Sequence, residues 1–305
     1  MQSEHYVTIN RNKFCCFPVG RNLNKEKYAK KLEKGKRNMI KELLEEIADA
    51  QMVLVGIGKE MEETYQEMEK DSLCSSLMAQ AEEEEDSAGI IQYLQCYAAG
   101  KNPDMGKIDA YNRLADLLEG KNYFVVSLCT DDYIYASKLD AERIVAPCGG
   151  FRALQCHSEC SAKQESLIRD KQVTEQVMEE IAHCKGKLSN IDFPVCANCG
   201  SMLFFNRIVT PGYKEEGYLP QWEKYTKWLQ GTLNRKLCVL ELGAGMEYPT
   251  VIRFPFEKVA FFNQKARFFR VHSRLYQMTA ELKDKGVSIQ ADPTEFLISV
   301  QTGLN

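Results

Sequence analysis

The segment Gln51-Met-Val-Leu-Val-Gly-Ile-Gly58 decides the fold class of this chain. Gln51–Val55 is a short, β-branched apolar run that predicts a buried strand, and Gly56-Ile57-Gly58 ends it. A buried strand that stops at a Gly-x-Gly turn is typical of the first unit of a nucleotide-binding α/β domain. By itself the turn is weak evidence, because tight turns of this kind also occur without a ligand.

Strands and helices alternate along the rest of the chain. The predicted strands are Tyr123–Leu128, Arg143–Ala146, Leu237–Leu242, Arg267–His272 and Val287–Gln290. The predicted helices are Asn22–Ala50, Met61–Ala99 with an interruption at the acidic run Glu82–Asp86, Ile108–Leu118, Gln164–Ala182 and Pro293–Val300. Such alternation predicts right-handed crossovers and a mostly parallel sheet with helices on both faces, an α/β fold.

Four cysteines in two close pairs interrupt this pattern between Pro147 and Met202. The pairs are Cys156-x3-Cys160 and Cys196-x2-Cys199, and they are separated by residues 161–195. Two such pairs match a structural, tetrahedral zinc site in which protein ligands fill all four positions. Two alternatives stay open, namely that the cysteines are free and buried, or that His157 replaces one of the thiols.

The overall composition is that of an ordinary globular protein. The 305 residues carry a net charge of -4, which gives no electrostatic reason to expect nucleic acid or an anionic membrane as a partner. The apolar runs are shorter than the ~20 residues of a membrane span, and Met1–Arg11 lacks the apolar core of a secretory signal. We therefore expect a cytoplasmic protein, in which 12 cysteines indicate metal binding or catalysis rather than disulfides.

A second predicted strand, Leu237–Leu242, also ends in a glycine turn, Gly243-Ala244-Gly245. A bound dinucleotide lies across the carboxyl ends of several strands in a sheet of this kind. Two such turns therefore favour a dinucleotide site more strongly than either turn alone.

Taken in order, these motifs resemble the sirtuin family. The run Ile47–Gly58 is similar to the strand and Gly-Ala-Gly turn that begin the sirtuin NAD site, and Val126-Ser-Leu-Cys-Thr-Asp131 is similar to the Thr-Gln-Asn-x-Asp segment. Ala146–Cys156 resembles the His-Gly segment that leads to the first zinc cysteine, and Cys196-Ala-Asn-Cys-Gly200 the second cysteine pair. Gly243–Pro249 resembles the late Gly-Thr-Ser turn. The resemblance covers about Ile47 to the C-terminus.

The resemblance implies a Rossmann-like, NAD-binding domain with a small zinc module, and a chemistry of NAD-dependent protein deacylation or ADP-ribosyl transfer. It divides the chain into an N-terminal helical extension that packs on the core (1–49), a Rossmann-like domain (50–147 and 203–305) and an inserted zinc module (148–202). The implied partners are NAD or ADP-ribose and an acylated or ADP-ribosylated protein substrate.

Several implied site residues depart from the family's pattern. Cys148 stands where the family has its catalytic histidine and Cys129 where it has an asparagine, whereas the aspartate is retained as Asp131. These three residues are the catalytic candidates. The predicted cofactor contacts are Gly56, Ile57, Gly58, Lys59, Ser127, Asp131, Gly243, Ala244, Gly245, Glu247 and His272.

The thiols carry open alternatives. A cysteine pKa begins near 8.5, so Cys148 can act as a base or nucleophile only where its surroundings lower that pKa. It is otherwise a packing residue beneath the pocket, or one half of a redox-sensitive pair with Cys129.

The charged candidates have alternatives too. Asp131 either helps to hold the nicotinamide ribose or caps a helix, and Asp132 is a further polar candidate beside it. Lys59 either places a cation beside the phosphates or stays solvated. Glu241 and Glu247 flank the late turn and are candidates for the ribose hydroxyls.

Three hypotheses follow for function. The first is a divergent sirtuin-like transferase that cleaves NAD with an altered catalytic site. The second is a catalytically degenerate sensor or interaction module that binds NAD or ADP-ribose. The third is a zinc-stabilised interaction protein that binds no nucleotide.

Overall fold

The computed structural model describes residues 22–158, 160 and 167–300. The chain divides into two compact units, Met1–Asn38 and Met39–Asn305, and the features discussed below belong to the second unit. The predictions made for Met1–Arg11 and for residues 164–166 lie outside the described residues.

A parallel sheet forms the centre of the second unit. The strands, in chain order, are β1 (Met52–Ile57), β2 (Asn122–Ser127), β3 (Ile144–Val145), β4 (Gly149–Cys156), β5 (Leu203–Arg207), β6 (Leu237–Leu242), β7 (Ala266–His272) and β8 (Gly286–Gln290). Six of them form a sheet in the order β3-β2-β1-β6-β7-β8, with every neighbouring pair parallel. The predicted α/β fold with a parallel sheet is therefore confirmed.

Helices connect these strands. In chain order they are α1 (Asn22–Asp49), α2 (Gln66–Lys70), α3 (Ser72–Ala81), α4 (Ser87–Lys101), α5 (Met105–Leu117), α6 (Lys171–His183), α7 (Leu219–Gln230), α8 (Arg253–Phe262) and α9 (Pro293–Ser299). The long helical stretch predicted at Met61–Ala99 is three helices, because Asp71 caps α3 and the acidic run forms the turn before α4. No helix in the described parts of the chain is long and apolar enough to cross a membrane.

The hairpin of β4 and β5 was not predicted. These strands are antiparallel, with an irregularity in register between Gly149 and Leu154. The predicted module boundary at residue 202 therefore falls between the two paired strands. The helix predicted at Gln164–Ala182 begins only at Lys171, after Asp170 caps it through the Gln172 amide.

The strand order places a crevice at the carboxyl ends of β1 and β6. The chain passes from β1 to β2 and β3 on one side of the sheet, and from β6 to β7 and β8 on the other. In open α/β sheets ligands bind where the order reverses in this way. The two glycine turns follow β1 and β6 and thus share this edge.

The central strands are buried on both faces, which explains their continuous apolar sequence. Val53 and Val55 of β1 belong to one core cluster, and Met52 and Leu54 to the cluster on the opposite face. Leu43 of α1 joins the first cluster. A third cluster surrounds the hairpin together with α3, α4 and α6.

Candidate functional site

The two glycine turns pack directly on each other at the crevice. Gly58 N donates to Leu242 O at 2.8 Å, and Glu60 N donates to Gly243 O at 3.2 Å. A Cβ on Gly58 would lie 2.1 Å from Gly243 O and 2.2 Å from Ala244 Cα. Gly58 is therefore needed for the contact between the turns, where no side chain fits.

The first turn continues into a single 3-10 turn, Lys59–Met61. The amides of Glu60, Met61 and Glu62 donate to backbone carbonyls of the two turns. No α-helix follows the turn directly, and these three amide donors are already used by the backbone. Gly56 and Ile57 lie inside β1, where Ile57 is buried and a Cβ on Gly56 would meet the side chain of Ile252 at 2.6 Å.

Lys59 bridges the first turn to the loop after β2. Its ammonium lies 2.7 and 2.8 Å from the two carboxylate oxygens of Glu62. Glu62 also accepts hydrogen bonds from the amide and hydroxyl of Thr130, at 2.8 and 2.7 Å. The predicted cation is thus present at the crevice, but it is paired with a carboxylate and is only 17% exposed.

His272 lies at the second turn. Its Nδ1 atom is 2.9 Å from a carboxylate oxygen of Glu60, which also accepts from the amide of Ser273. Burial lowers the pKa of His272, against the opposing effect of Glu60. A Cβ on Gly245 would lie 3.7 Å from Nε2, so that ring nitrogen faces the turn.

The remaining predicted contacts differ in exposure. Ser127 is fully buried, and its hydroxyl accepts from Cys129 N at 3.2 Å. Ala244 is buried in a core cluster. Glu247 is exposed.

Asp131 is tied into the protein by backbone amides. One carboxylate oxygen accepts from Glu63 N at 2.7 Å, and the other from Tyr133 N at 3.1 Å. Burial raises the pKa of Asp131, while these two amides act to lower it. The two amides fix the orientation of this carboxylate in the loop after β2.

The two predicted catalytic thiols are protonated at neutral pH. Burial raises the pKa of Cys148 to about 11, and it raises the pKa of Cys129 well above the ordinary value. Cys129 Sγ lies 3.4 Å from Gly58 O, beneath the first turn. Neither thiol hydrogen-bonds to the other, which gives the predicted redox pair no support. Burial thus opposes the thiolate form of Cys148 that a base or nucleophile would need.

Glu241 does not face a ribose. Its carboxylate lies 2.6 Å from Nε of Arg270 on the neighbouring strand, and both side chains are buried. Arg270 also reaches Glu257 of α8 at 2.7 Å. The prediction of a ribose contact is therefore wrong, because this strand position points into the protein between β7 and α8.

Sequence reasoning missed Arg207 and Tyr65. Arg207 lies on β5 and donates to Gln95 and to the hydroxyl of Thr130, each at 2.6 Å. Tyr65 is held at a left-handed φ of 58°, where non-glycine residues are rare. Among the described residues, Tyr65 Oη and Arg207 Nε are buried without a hydrogen-bond partner.

The four predicted metal ligands come together at the end of the hairpin. All four Sγ atoms, of Cys156, Cys160, Cys196 and Cys199, lie within 4.8 Å of one another. Cys156 Sγ is 3.5 Å from both Cys160 Sγ and Cys199 Sγ, and Cys160 Sγ is 3.7 Å from Cys196 Sγ. Such a cluster can hold a metal ion.

His157 is not part of the cysteine cluster. Its Nδ1 contacts Met202 O at 2.9 Å, its Nε2 contacts Asp86, and its ring stacks on Phe204 with centroids 4.0 Å apart. The alternative in which His157 replaces a thiol is therefore wrong.

Two curated proteins are similar to this chain in sequence. A protein ADP-ribosyltransferase of Staphylococcus aureus is 23% identical over 188 residues, which are 60% of this chain and 57% of that protein. A probable bifunctional ADP-ribose hydrolase/ADP-ribosyltransferase of Fusarium oxysporum f. sp. cubense is 26% identical over 180 residues, 57% of this chain and 30% of that protein. The chain thus matches about half the length of the first protein and about a third of the length of the second.

Solved structures of Sir2 proteins are also similar. Sir2 bound to an acetylated peptide matches with a TM-score of 0.48 and 14% identity, covering 86% of this chain and 96% of that one. A mutant Sir2 homologue in complex with 2′-O-acetyl-ADP-ribose matches with a TM-score of 0.47 and 13% identity, covering 87% and 99%. No family model matches the chain.

Proposed function

We propose that the protein is a divergent, sirtuin-like ADP-ribosyltransferase that binds NAD in the crevice at the carboxyl ends of β1, β2 and β6. The observation that carries this proposal is the position of both glycine turns and of the Cys129–Asp131 segment at the one edge where the strand order reverses. A dinucleotide binds at that edge in folds of this class.

The residues at the crevice fit such a cofactor in two respects. Tyr65 Oη and Arg207 Nε are buried donors without a partner, and buried donors of this kind are rare unless a ligand or water satisfies them. The ammonium of Lys59, which pairs with Glu62 here, can pair with a phosphate of the cofactor instead. The carboxylate of Glu60 repels an anionic ligand, but the amide and the hydroxyl of Ser273 already stabilise the negative charge of Glu60.

Transfer of ADP-ribose fits these residues better than deacylation. Bound NAD supplies the ADP-ribosyl group, with nicotinamide as the leaving group. Deacylation in the family depends on a histidine base, whereas Cys148 is a protonated thiol here. Loss of a general base costs a factor of roughly 100 to 10,000 in rate. Transfer can instead rely on positioning and on electrostatic stabilisation, for which Asp131 is held in place by two amides. Both curated relatives carry ADP-ribosyltransferase in their names.

Nicotinamide release and thermal melting, measured on the same samples with NAD and with ADP-ribose, test this function. We expect both ligands to raise the melting temperature, and NAD to yield nicotinamide. A ligand at 100 times its Kd stabilises a protein by about 2.7 kcal/mol. Lys59→Met should weaken binding, and Cys148→Ala should leave release within about twofold. Lys236→Met is the matched control, because Lys236 lies at the amino edge of the same sheet, paired with Asp49.

Each outcome bears on the proposal. A thermal shift without nicotinamide release would contradict the transferase and leave the nucleotide-binding module as the function. Absence of a shift with either ligand would overturn the cofactor assignment. The acceptor is proposed to be a protein, which transfer of label from NAD to candidate proteins would detect.

We also propose that the cysteine cluster holds structural zinc and that it anchors a module, residues 148–202, in the NAD-binding domain. The sulfur separations of 3.5–3.7 Å match the edge of a tetrahedron, about 3.8 Å for Zn–S bonds of about 2.3 Å. Elemental analysis should find about one zinc per chain. Cys196→Ser should lose the metal and lower the melting temperature, while Cys184→Ser, a buried cysteine outside the cluster, should keep the metal.

A further inference from the structure

A second cavity, of about 600 Å³, differs from the crevice in the residues that line it. Its walls come from α4, from the loop between β2 and β3, and from β4, α6 and the start of α7. None of the glycine-turn residues, Lys59 or Cys148 lines it. Its volume is in the range of small-molecule sites, roughly 300–1,000 Å³.

Asp132 is one of the charged residues that line this cavity. It is half-buried and has a left-handed φ of 60°, a conformation that costs free energy for a residue other than glycine. One carboxylate oxygen accepts from Phe151 N at 2.6 Å. Within the described part of the chain this is its only hydrogen bond, and it forms no ion pair. The other carboxylate oxygen of Asp132 lies over Gly150, so close that a Cβ added to Gly150 would be 2.3 Å from this oxygen.

The neighbourhood of Asp132 makes its charge sensitive to pH near neutrality. Burial raises the pKa of Asp132 to about 7, while the Phe151 amide, Arg152 and Arg207 lower it and Asp131 raises it. Cys96 from α4 and Tyr135 from the β2–β3 loop also interact with it electrostatically. No histidine is among the residues that line the cavity.

The walls around Asp132 suit a cation. Tyr135, Phe151 and Tyr218 present aromatic rings to the cavity, and Arg152 already places its guanidinium 4.0 Å from the centre of the Tyr135 ring. Cations are attracted to aromatic faces by about 0.5–2 kcal/mol. An anionic ligand is disfavoured, because it would lie beside the unpaired carboxylate of Asp132 and be repelled by it.

The remaining charges at the rim are mostly engaged with the protein. Glu142 contacts Lys224 and Gln221, Arg169 donates to Glu216 O, and Asp170 caps α6. Glu175 and Lys171 of α6 also line the cavity, but both are exposed to solvent. Asp132 is thus the partly buried carboxylate in the wall that has neither an ionic partner nor a cap to form.

We propose that this cavity binds a guanidinium or ammonium group on an apolar stem, such as the basic side chain of a peptide, with the carboxylate of Asp132 as its counter-ion. The proposal does not depend on NAD binding, because none of the residues predicted to contact the cofactor lines this cavity.

Binding of N-acetyl-argininamide, measured by calorimetry at pH 6 and pH 8, tests the proposal. A cation binds the ionised form of Asp132, so affinity should rise about tenfold from pH 6 to pH 8 for a group whose pKa is about 7. N-acetyl-norleucinamide, which has no charge, should bind at least tenfold more weakly at pH 8.

Asp132→Asn separates the carboxylate from the shape of the cavity. Asparagine tolerates a left-handed φ and keeps an oxygen for the Phe151 amide, so the variant should fold. It should lose at least tenfold in affinity and all of the pH dependence, whereas Asp116→Asn, which removes a carboxylate that does not line the cavity, should bind as the natural protein does. No binding of the probe at millimolar concentration, equal binding of the neutral probe, or unchanged binding by a folded Asp132→Asn would each overturn the proposal.

Discussion

At the scale of single residues, Glu241 and Arg270 form a buried ion pair. Their exposures are 0% and 1%, and two hydrogen bonds of 2.6 and 3.0 Å join them. Removing one partner of such a pair typically costs about 3–5 kcal/mol, because the other charge is left without compensation. We expect Glu241→Gln to lower the free energy of unfolding by about 3 kcal/mol, with Glu257 limiting the loss.

Urea unfolding of the variant checks this value. Asp49→Asn is the control, since its ion pair with Lys236 is exposed and such pairs contribute only about 0–1 kcal/mol. Equal effects of the two substitutions would show that the buried pair does not stabilise the fold.

The sequence identified candidate residues but could not set their surroundings. Glu241 stands next to the late turn in sequence. The direction of its side chain, however, depends on the register of β6 with its neighbour β7, which places Glu241 opposite Arg270. The same limit applies to Cys148, for which the sequence left open a reactive thiol or a packing residue, because its motif does not show how deeply the thiol is buried. Burial is decided by segments that are distant in sequence.

At the scale of elements, the contact between the two glycine turns is the tightest junction of the crevice. A methyl group on Gly58 would meet backbone atoms of Gly243 and Ala244, which cannot move aside without shifting β6. We expect Gly58→Ala to destabilise the protein by about 1–3 kcal/mol, the usual cost of overpacking, and to weaken binding of NAD.

Gly100→Ala is the matched control for this substitution. Gly100 lies in α4, and a Cβ there would have no neighbour within 4 Å. Alanine in a helix is favoured over glycine by roughly 0.5–1 kcal/mol, so this variant should melt at a higher temperature. A Gly58→Ala protein that melts and binds like the natural protein would contradict the role of the turn contact.

The elements that the sequence predicted best are those buried on both sides. The apolar runs of β1, β2 and β6 appear with their ends shifted by only a residue or so. The hairpin was missed because β4 begins with two glycines and pairs with a strand beyond the second cysteine pair. α8 was missed as well, since Pro255 lies within its first turn, where proline is tolerated but also typical of a break.

At the scale of the whole molecule, the order of motifs predicted the sheet and the cysteine cluster, but not the second cavity. That cavity is built from α4, β4, α6 and two loops, which no local pattern connects. Asp132 was noticed only as a neighbour of Asp131. Its position in the cavity, and its left-handed backbone, became visible only when the β2–β3 loop was placed against β4.

The pH dependence of stability follows from Asp132. Its pKa is about 7 in the folded protein and about 3.9 in an unfolded chain. The folded state therefore binds more protons between these values, and stability falls as pH rises from 4 to 7. Asp132→Asn removes this ionisation, so the variant should melt at a higher temperature than the natural protein at pH 8, with the difference shrinking towards pH 5.

Asp71→Asn should behave in the opposite way in the same melting series. Asp71 pairs with Lys101 and caps α3, and these hydrogen bonds lower its pKa. Its charge therefore stabilises the fold above its unfolded pKa, and this contribution is lost as pH falls through the lower folded pKa. Asp71→Asn should thus melt below the natural protein at pH 8. If Asp132→Asn instead melted lower at pH 8 and equally at pH 5, the ionised carboxylate would be a stabilising group, and the cavity would already hold its counter-charge.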